Sequence, residues 1–273
     1  MFSLLEVRDK SNHFFIRPNK RESWTSEDGQ RKYSVDIYYN KPTDLLSLKK
    51  DTLDNFDAVL SEIKSSRRYL FRNNNKRGLS HCPICNSSSQ ESEFKIAIYG
   101  GRYHQCRNCS HYYIYNRPSV KSMNRFYSLN KSYSSIYTDK KSADLRVNAV
   151  VMPKLNYTIM QYKKEYDCRP QSILDVGSGG GHFVYAVRKA GIKTDCIELS
   201  KSSRNFCRNV FCFELQNVNF LKKNSLFHNI DIVTFWGVIE HLHQPLAFLK
   251  AARKLLTGKK CLVVVQVPHY ECL

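Results

Sequence analysis

The sequence predicts an α/β fold: a doubly wound parallel sheet, preceded by a small cysteine-stapled module and a helical lead-in. Three observations predict it. From residue 171 onward, short apolar runs alternate with amphipathic stretches at the spacing of βαβ units. Within that region "ILDVGSGGGHFVYAVRKAG", residues 173–191, reads as a buried strand, a glycine-rich turn and a helix. Upstream, two tight cysteine pairs stand at metal-ligand spacing.

Taken in order, residues 1–78 form a mixed, mainly helical segment. "RKYSVDIYYN" alternates like a strand, and Leu45, Leu48, Leu53, Phe56, Leu60 and Ile63 recur at helical spacing before the polar linker "NNNKRG". Residues 79–118 read as a zinc ribbon. Cys82 and Cys85 form one C-x2-C pair, Cys106 and Cys109 the other, with 20 residues between them. Each pair can present two thiolates to one tetrahedral Zn2+, which staples a module too small for a core of its own. A hairpin turning at Gly100–Gly101 and the closing strand "SHYYIYNRP" complete it. The other six cysteines lack ligand spacing and read as free thiols.

Residues 119–170 are a helical linker whose tyrosines, 127, 133, 137, 157, 162 and 166, suit helix packing or a lid. The α/β region spans 171–273. Its expected strands are "SILDV", "KTDCIELS", a stretch near "CFELQNV", "IDIVTFWGVIEHL" and "KCLVVVQVP", with helices at "GHFVYAVRKAG", "SKSSRNFCRNV" and "PLAFLKAARKLL". In such a sheet ligands lie outside the carboxyl ends of the strands.

The formal net charge of +19 is spread along the 273 residues. It attracts nucleic acid, anionic surfaces or phosphate-bearing substrates without distinguishing them. No run is long and apolar enough for a membrane span, and the start "MFSLLEVRDK" lacks the parts of a secretory signal, so a cytoplasmic location is the expectation.

The glycine-rich turn points to a nucleotide-like cofactor. Gly177, Gly179 and Gly181 let the backbone approach a ligand at the start of a helix. A dinucleotide fingerprint begun at Gly177 needs a small sixth residue, and that position is His182. Asp175 puts a carboxylate where pyrophosphate would be repelled and the ammonium of a methionine moiety attracted. S-adenosylmethionine fits better than NAD. Glu198, 21 residues after Gly177 at the end of the second strand, can accept hydrogen bonds from ribose hydroxyls.

With "FWGVIEHLHQP" after the fourth strand, residues 171–270 resemble the class I S-adenosylmethionine-dependent methyltransferases. The upstream "CPIC…YHQCRNCSHYYIYNRP…FYSLNKSYSSIY" is similar to the zinc-ribbon lead-in of a bacterial subgroup that often occurs with glycan or lipopolysaccharide synthesis functions. The resemblance implies a Rossmann-like fold with the three glycines and Asp175 around the methionine part of the cofactor and Glu198 at its ribose. Phe235 and Trp236 would line the methyl-transfer pocket, and Glu240 and His241 would match the family's "EH" pair beside the acceptor. His241 is the candidate base, because its reference pKa lies near working pH. The implied acceptor is a sugar or other small molecule, methylated on oxygen or carbon.

The pattern departs from the family in three places. The third strand offers only Asn217 or Asn219 where an acidic residue normally holds the adenine amino group; "LLTGKK" lacks Pro-Gly-Gly; and "VPHYECL" follows directly on the fifth strand. The last feature predicts a domain incomplete at its C-terminus, without the antiparallel strands that finish such a sheet: either the chain is a fragment or truncated relative, or self-association or a partner covers the open edge. Two alternatives stand beside the glycan reading. One is RNA methylation, although the first glutamate of the metal-binding "ExxEH" pattern is replaced by Gly237. The other is a non-catalytic, cofactor-binding interaction module.

Overall fold

The computed structural model describes residues 20–25, 30, 32–37, 45–72, 78–129, 138–256 and 260–268. The expected linker over 73–77, Tyr133 and Tyr137 lie outside the described residues.

The first described element, β1 (Lys20–Thr25), pairs antiparallel with β2 (Lys32–Ile37). Three helices follow, α1 (Leu45–Leu48), α2 (Lys50–Asp54) and α3 (Phe56–Arg72). The sequence predicts the strand at 32–37 and the helical spacing, but not β1, whose charged "KRESWT" has little apolar alternation.

The ribbon is a three-stranded antiparallel sheet of β3 (Glu93–Ile98), β4 (Gly101–Gln105) and β5 (Tyr112–Ile114). Ile98 pairs with Gly101, so the turn is the dipeptide Tyr99–Gly100, one residue earlier than expected. Both residues have positive φ, 52° and 95°, as a two-residue hairpin turn of the primed type requires. The turn rests on the end of α3: an added Cβ on Gly100 would stand 3.0 Å from Phe71 Cβ.

The two cysteine pairs fold alike. In each, the residue four positions after the first cysteine, Asn86 or Ser110, has positive φ and donates its N–H to that cysteine's carbonyl, at 3.1 and 2.9 Å. The first cysteine's own N–H bonds a carbonyl five positions on, Ser87 or His111, at 2.9 Å in both.

After α4 (Val120–Leu129) come α5 (Ala143–Arg146), a π-helical turn over Val147–Val151 and α6 (Met152–Tyr166). Then begins a four-stranded parallel sheet of β6 (Ser172–Val176), β7 (Lys193–Ile197), β8 (Ile232–Trp236) and β9 (Leu262–Gln266), in the order β7-β6-β8-β9. Helices α7 (His182–Lys189), α8 (Lys201–Phe211), α9 (Phe220–Lys223) and α10 (Pro245–Leu255) connect the strands.

Alternation along the strands builds two cores. On one face Leu174, Val176, Val233 and Phe235 pack with Phe220, Ala251 and Ala252 of α9 and α10. On the other, Ile173 and Ile232 pack with Leu155 of α6 and Val187 of α7. Helices on both faces make the sheet doubly wound, as expected. Two tyrosines bind α6 to the start of β9: Tyr162 donates its hydroxyl to the Lys260 carbonyl at 3.1 Å, and Tyr166 to that of Cys261 at 2.7 Å.

The strand expected near "CFELQNV" is reduced to one parallel bridge, Ile197–Gln216. The chain leaves α8 through Cys212 at φ 60° and offers only a short extended run before α9. At the other side β9 is an edge strand, with Val263, Val265 and Val267 exposed among the described residues.

Candidate functional site

Strand order reverses between β7 and β8, on either side of β6, and there a cavity of about 750 Å³ opens at the carboxyl ends. The N–H groups of Gly177 and Ser178 both donate to the Ile197 carbonyl, at 2.8 and 2.9 Å, which bends the chain sharply out of β6. Gly177 has φ 79°, and a Cβ there would lie 2.6 Å from Val238 Cγ2. At Gly179, with φ 54°, a Cβ would meet nothing within 4 Å and would point into open space. The third glycine of the turn has a different task. Gly181 does not line the cavity; its Cβ would lie 2.5 Å from Cys207 Sγ, so its smallness serves the packing of α7 on α8.

Asp175 is 2% exposed and accepts a hydrogen bond from Thr234 Oγ at 2.6 Å. Burial pushes its pKa up to about 6, against the pull of the Thr234 and Ser178 bonds and of Lys154. Glu198 follows β7. One carboxylate oxygen accepts the Gly179 N–H and the other the Ser200 N–H, each at 2.7 Å. Burial raises the Glu198 pKa and those two N–H groups lower it.

Glu240 and His241 sit on a single 3-10 turn after β8, Ile239–His241, at the cavity mouth. His241 Nε2 is 3.8 Å from Glu240 Oε1. Desolvation holds the His241 pKa below its ordinary value, Glu240 opposing and Arg67 assisting. The Tyr127 ring of α4 stands 6.0 Å from the imidazole, its pKa pushed up to about 12 by burial. Tyr127 thus lines the cavity from above, whereas Tyr162 and Tyr166 are tethers elsewhere.

The structure therefore gathers Asp175, Gly177, Gly179, Glu198, Trp236, Glu240 and His241 around one space. Phe235 stays out: it is wholly buried in the core against Phe220, because adjacent strand residues face opposite sides and Trp236 takes the cavity side. Asn217 is exposed and does not line the cavity; Asn219, two positions on, does. His182 is a packing residue, 6% exposed, stacked on Phe206 at 5.5 Å and edge-on to Phe211 at 5.1 Å. Its Nε2 has no hydrogen-bond partner among the described residues, and burial pushes its pKa down to about 4.

The sequence reading missed Arg146 and Lys154, which also line the cavity. They lie outside the glycine-rich motif, and their only sequence signal is the spacing i, i+8 along one helical face.

In the ribbon, the cysteine sulfurs lie within 4.8 Å of one another, with Cys82–Cys109 at 3.7 Å and Cys85–Cys106 at 3.5 Å. Such a group of four thiols is compatible with tetrahedral metal binding. The ribbon also touches the site: Arg117 donates to the His243 carbonyl at 2.7 Å, and His243 Nε2 is 2.6 Å from the Pro118 carbonyl.

A family model described as a methyltransferase domain matches residues 152–272. No curated protein matches the chain. Similar solved structures include the plantazolicin methyltransferase BamL with a triazolic desmethylPZN analog and SAH, at 16% identity and TM-score 0.41, covering 50% of this chain and 52% of that one. The plantazolicin methyltransferase BpumL in complex with SAH gives 16% identity and TM-score 0.42, with 52% and 56% covered. The bifunctional kinase-methyltransferase WbdD gives 16% and 0.34, with 48% and 31% covered. The chain thus spans about half the length of the first of these structures.

Proposed function

We propose, on the premise that residues 152–272 form a class I S-adenosylmethionine-dependent methyltransferase domain, that this protein transfers a methyl group to a sugar or other small acceptor entering beside Glu240 and His241. The observation that carries this reading is the open cradle at Gly179, where the backbone faces empty space with Asp175 and Glu198 beside it. These residues fit the cofactor: Asp175 matches its ammonium, Glu198 its ribose hydroxyls, and Asn219 replaces Asn217 as the polar group toward the adenine end. When bound, S-adenosylmethionine supplies an electrophilic methyl group on a sulfonium.

The chain's own residues do the rest. The glycine-rich turn and Glu198 orient one reactant, and α4 closes over the cavity and limits water. His241, held neutral near pH 7 by its lowered pKa, accepts a proton from the acceptor's hydroxyl or acidic carbon at Nε2. Glu240, 3.8 Å away, stabilises the imidazolium that results. The four ribbon cysteines would hold a structural Zn2+ as thiolates.

The test is calorimetric titration with SAH and NAD, followed by label transfer from methyl-labelled cofactor to sugar-nucleotide, RNA and protein fractions. Binding of SAH but not NAD, and label in the sugar fraction, is the expected result. Label in RNA would move the function to the nucleic-acid alternative. Binding without transfer to any fraction would support a non-catalytic module.

A further inference from the structure

A basic and aromatic surface that the site above leaves unused lies where α3 meets the hairpin turn of the ribbon. There a cleft of about 800 Å³ opens, with Arg68, Tyr69, Arg72 and Tyr99 in its lining. None of its lining residues lines the cavity of the candidate site. Phe71 seats the turn: a Cβ on Gly101 would stand 2.9 Å from Phe71 Cζ, so the turn is pressed onto the helix and Tyr99 is held beside the helix end.

Charge along α3 is divided. Asp57 and Glu62 lie in its first half, and Lys64, Arg67, Arg68 and Arg72 in its second. The Arg67 guanidinium stands over the Phe126 ring at 5.0 Å. Arg72 is in the last turn, where a cation suits the helix dipole. Arg68, one turn earlier, has no such reason. Arg68 and Arg72 are both exposed, four residues apart on one helical face, where like charges repel. Neither has an ion pair or a hydrogen bond among the described residues. A phosphate between them removes that repulsion.

Local structure favours a tyrosine at neither aromatic position. Tyr69, next to Arg68, is 70% exposed. Tyr99 holds the first position of the primed turn with φ 52°, where asparagine, aspartate or glycine fits and a bulky side chain is strained. Two guanidiniums alone would suit any anion. The two tyrosines beside them select one in which phosphates alternate with flat rings.

We propose that this cleft binds single-stranded nucleic acid, with Arg68 and Arg72 holding backbone phosphates and the Tyr69 and Tyr99 rings stacking bases. Every base has a ring face, so such a surface tolerates any sequence. The strand is a partner, and its binding does not depend on the identity of the methyl acceptor.

The probe is a fluorescently labelled oligouridylate of about twelve nucleotides, titrated with the full chain by anisotropy at several salt concentrations. Arg68→Gln with Arg72→Gln is compared with Lys250→Gln and Lys254→Gln, an exposed pair on α10 that removes the same charge. The arginine pair should weaken binding by about tenfold or more and reduce the slope of log affinity against log salt by about 1.4, as the loss of two phosphate contacts to a single strand requires. The lysine pair should leave affinity within about twofold. Tyr69→Ala should weaken binding by about fivefold or more, and Tyr69→Phe, which keeps the ring, should bind like the parent. Equal losses from the two charge pairs would reduce the binding to diffuse attraction and overturn the site. A parent protein that does not bind oligouridylate at low salt, or variants of Arg68, Arg72 and Tyr69 that all bind like the parent, would overturn it too. Phosphatidylglycerol vesicles are the counter-probe: vesicle binding governed by the arginine pair, without oligouridylate binding, would make this a membrane surface and the proposal wrong.

Discussion

The Glu198 carboxylate and the Gly179 N–H are joined by a 2.7 Å hydrogen bond across the mouth of the candidate site. The bond makes one acidic side chain both a strut for the glycine-rich turn and a wall of the cavity. Glu198→Ala should therefore weaken SAH binding by about 1.5–3 kcal/mol, the range for hydrogen bonds to a charged group. Calorimetry measures it, and parent-like affinity would remove Glu198 from the cofactor site.

The neighbouring glycines should respond in opposite ways. Gly177→Ala drives a methyl group to within 2.6 Å of Val238 and should lower the unfolding midpoint clearly. Gly179→Ala meets no atom, so it should cost only about 1–2 kcal/mol for its left-handed backbone while obstructing the ligand. Parallel denaturant unfolding and SAH titration separate the two effects. Equal destabilisation with unchanged binding would contradict the assignment.

Acid stability should show two opposed slopes. The Asp175 pKa is about 6 in the fold against an ordinary 3.8, so the native state keeps a proton that the unfolded chain releases; that stability is full below about pH 4 and lost as pH rises through about 6. His182 is about 4 against 6.5, so its contribution is full above pH 6.5 and lost as pH falls toward 4. Each is worth at most about 3 kcal/mol. Asp175→Asn should steepen the loss of stability on acidification from pH 6.5 to 4, and His182→Phe should reverse it. Urea unfolding of the unliganded proteins across that range reads both slopes; superimposable curves would contradict both burials.

Metal analysis of the purified chain should find about one zinc, and Cys82→Ser should abolish it. Since the glycine-rich turn is built from other elements, SAH affinity should persist in the variant. A folded, zinc-free parent protein grown with ample zinc would refute the thiolate site.

Much of this was legible from residue types alone. The cysteine pairs fold locally, so their spacing carried the knuckles. Strand, turn and helix around 173–191 follow from apolar runs and glycines that need no distant partner. What failed depended on direction or on tertiary pairing. Phe235 and Trp236 are both apolar, and only the strand's pleat sends one to the core and the other to the cavity. Asn217 and Asn219 are indistinguishable by type, and the loop between Gln216 and α9 decides which reaches inward. Gly181 looked like its neighbours, yet its tight contact is with Cys207 on a later helix. Arg146 and Lys154 needed the π-turn and the closure of α6 over the sheet before they met the site.

The paired contacts between the Arg117–Pro118 segment and His243 set the order in which the molecule can loosen. Arg117 grips the His243 carbonyl while His243 reaches the Pro118 carbonyl, so neither segment can withdraw without breaking both links. Amides of the ribbon's exit and of the turn carrying Glu240 and His241 should thus exchange with solvent deuterium as one unit, although about 125 residues separate them. On that account, breathing of the turn that carries Glu240 and His241 is coupled to the four-cysteine module upstream as well as to the sheet on which Val238 and Ile239 pack.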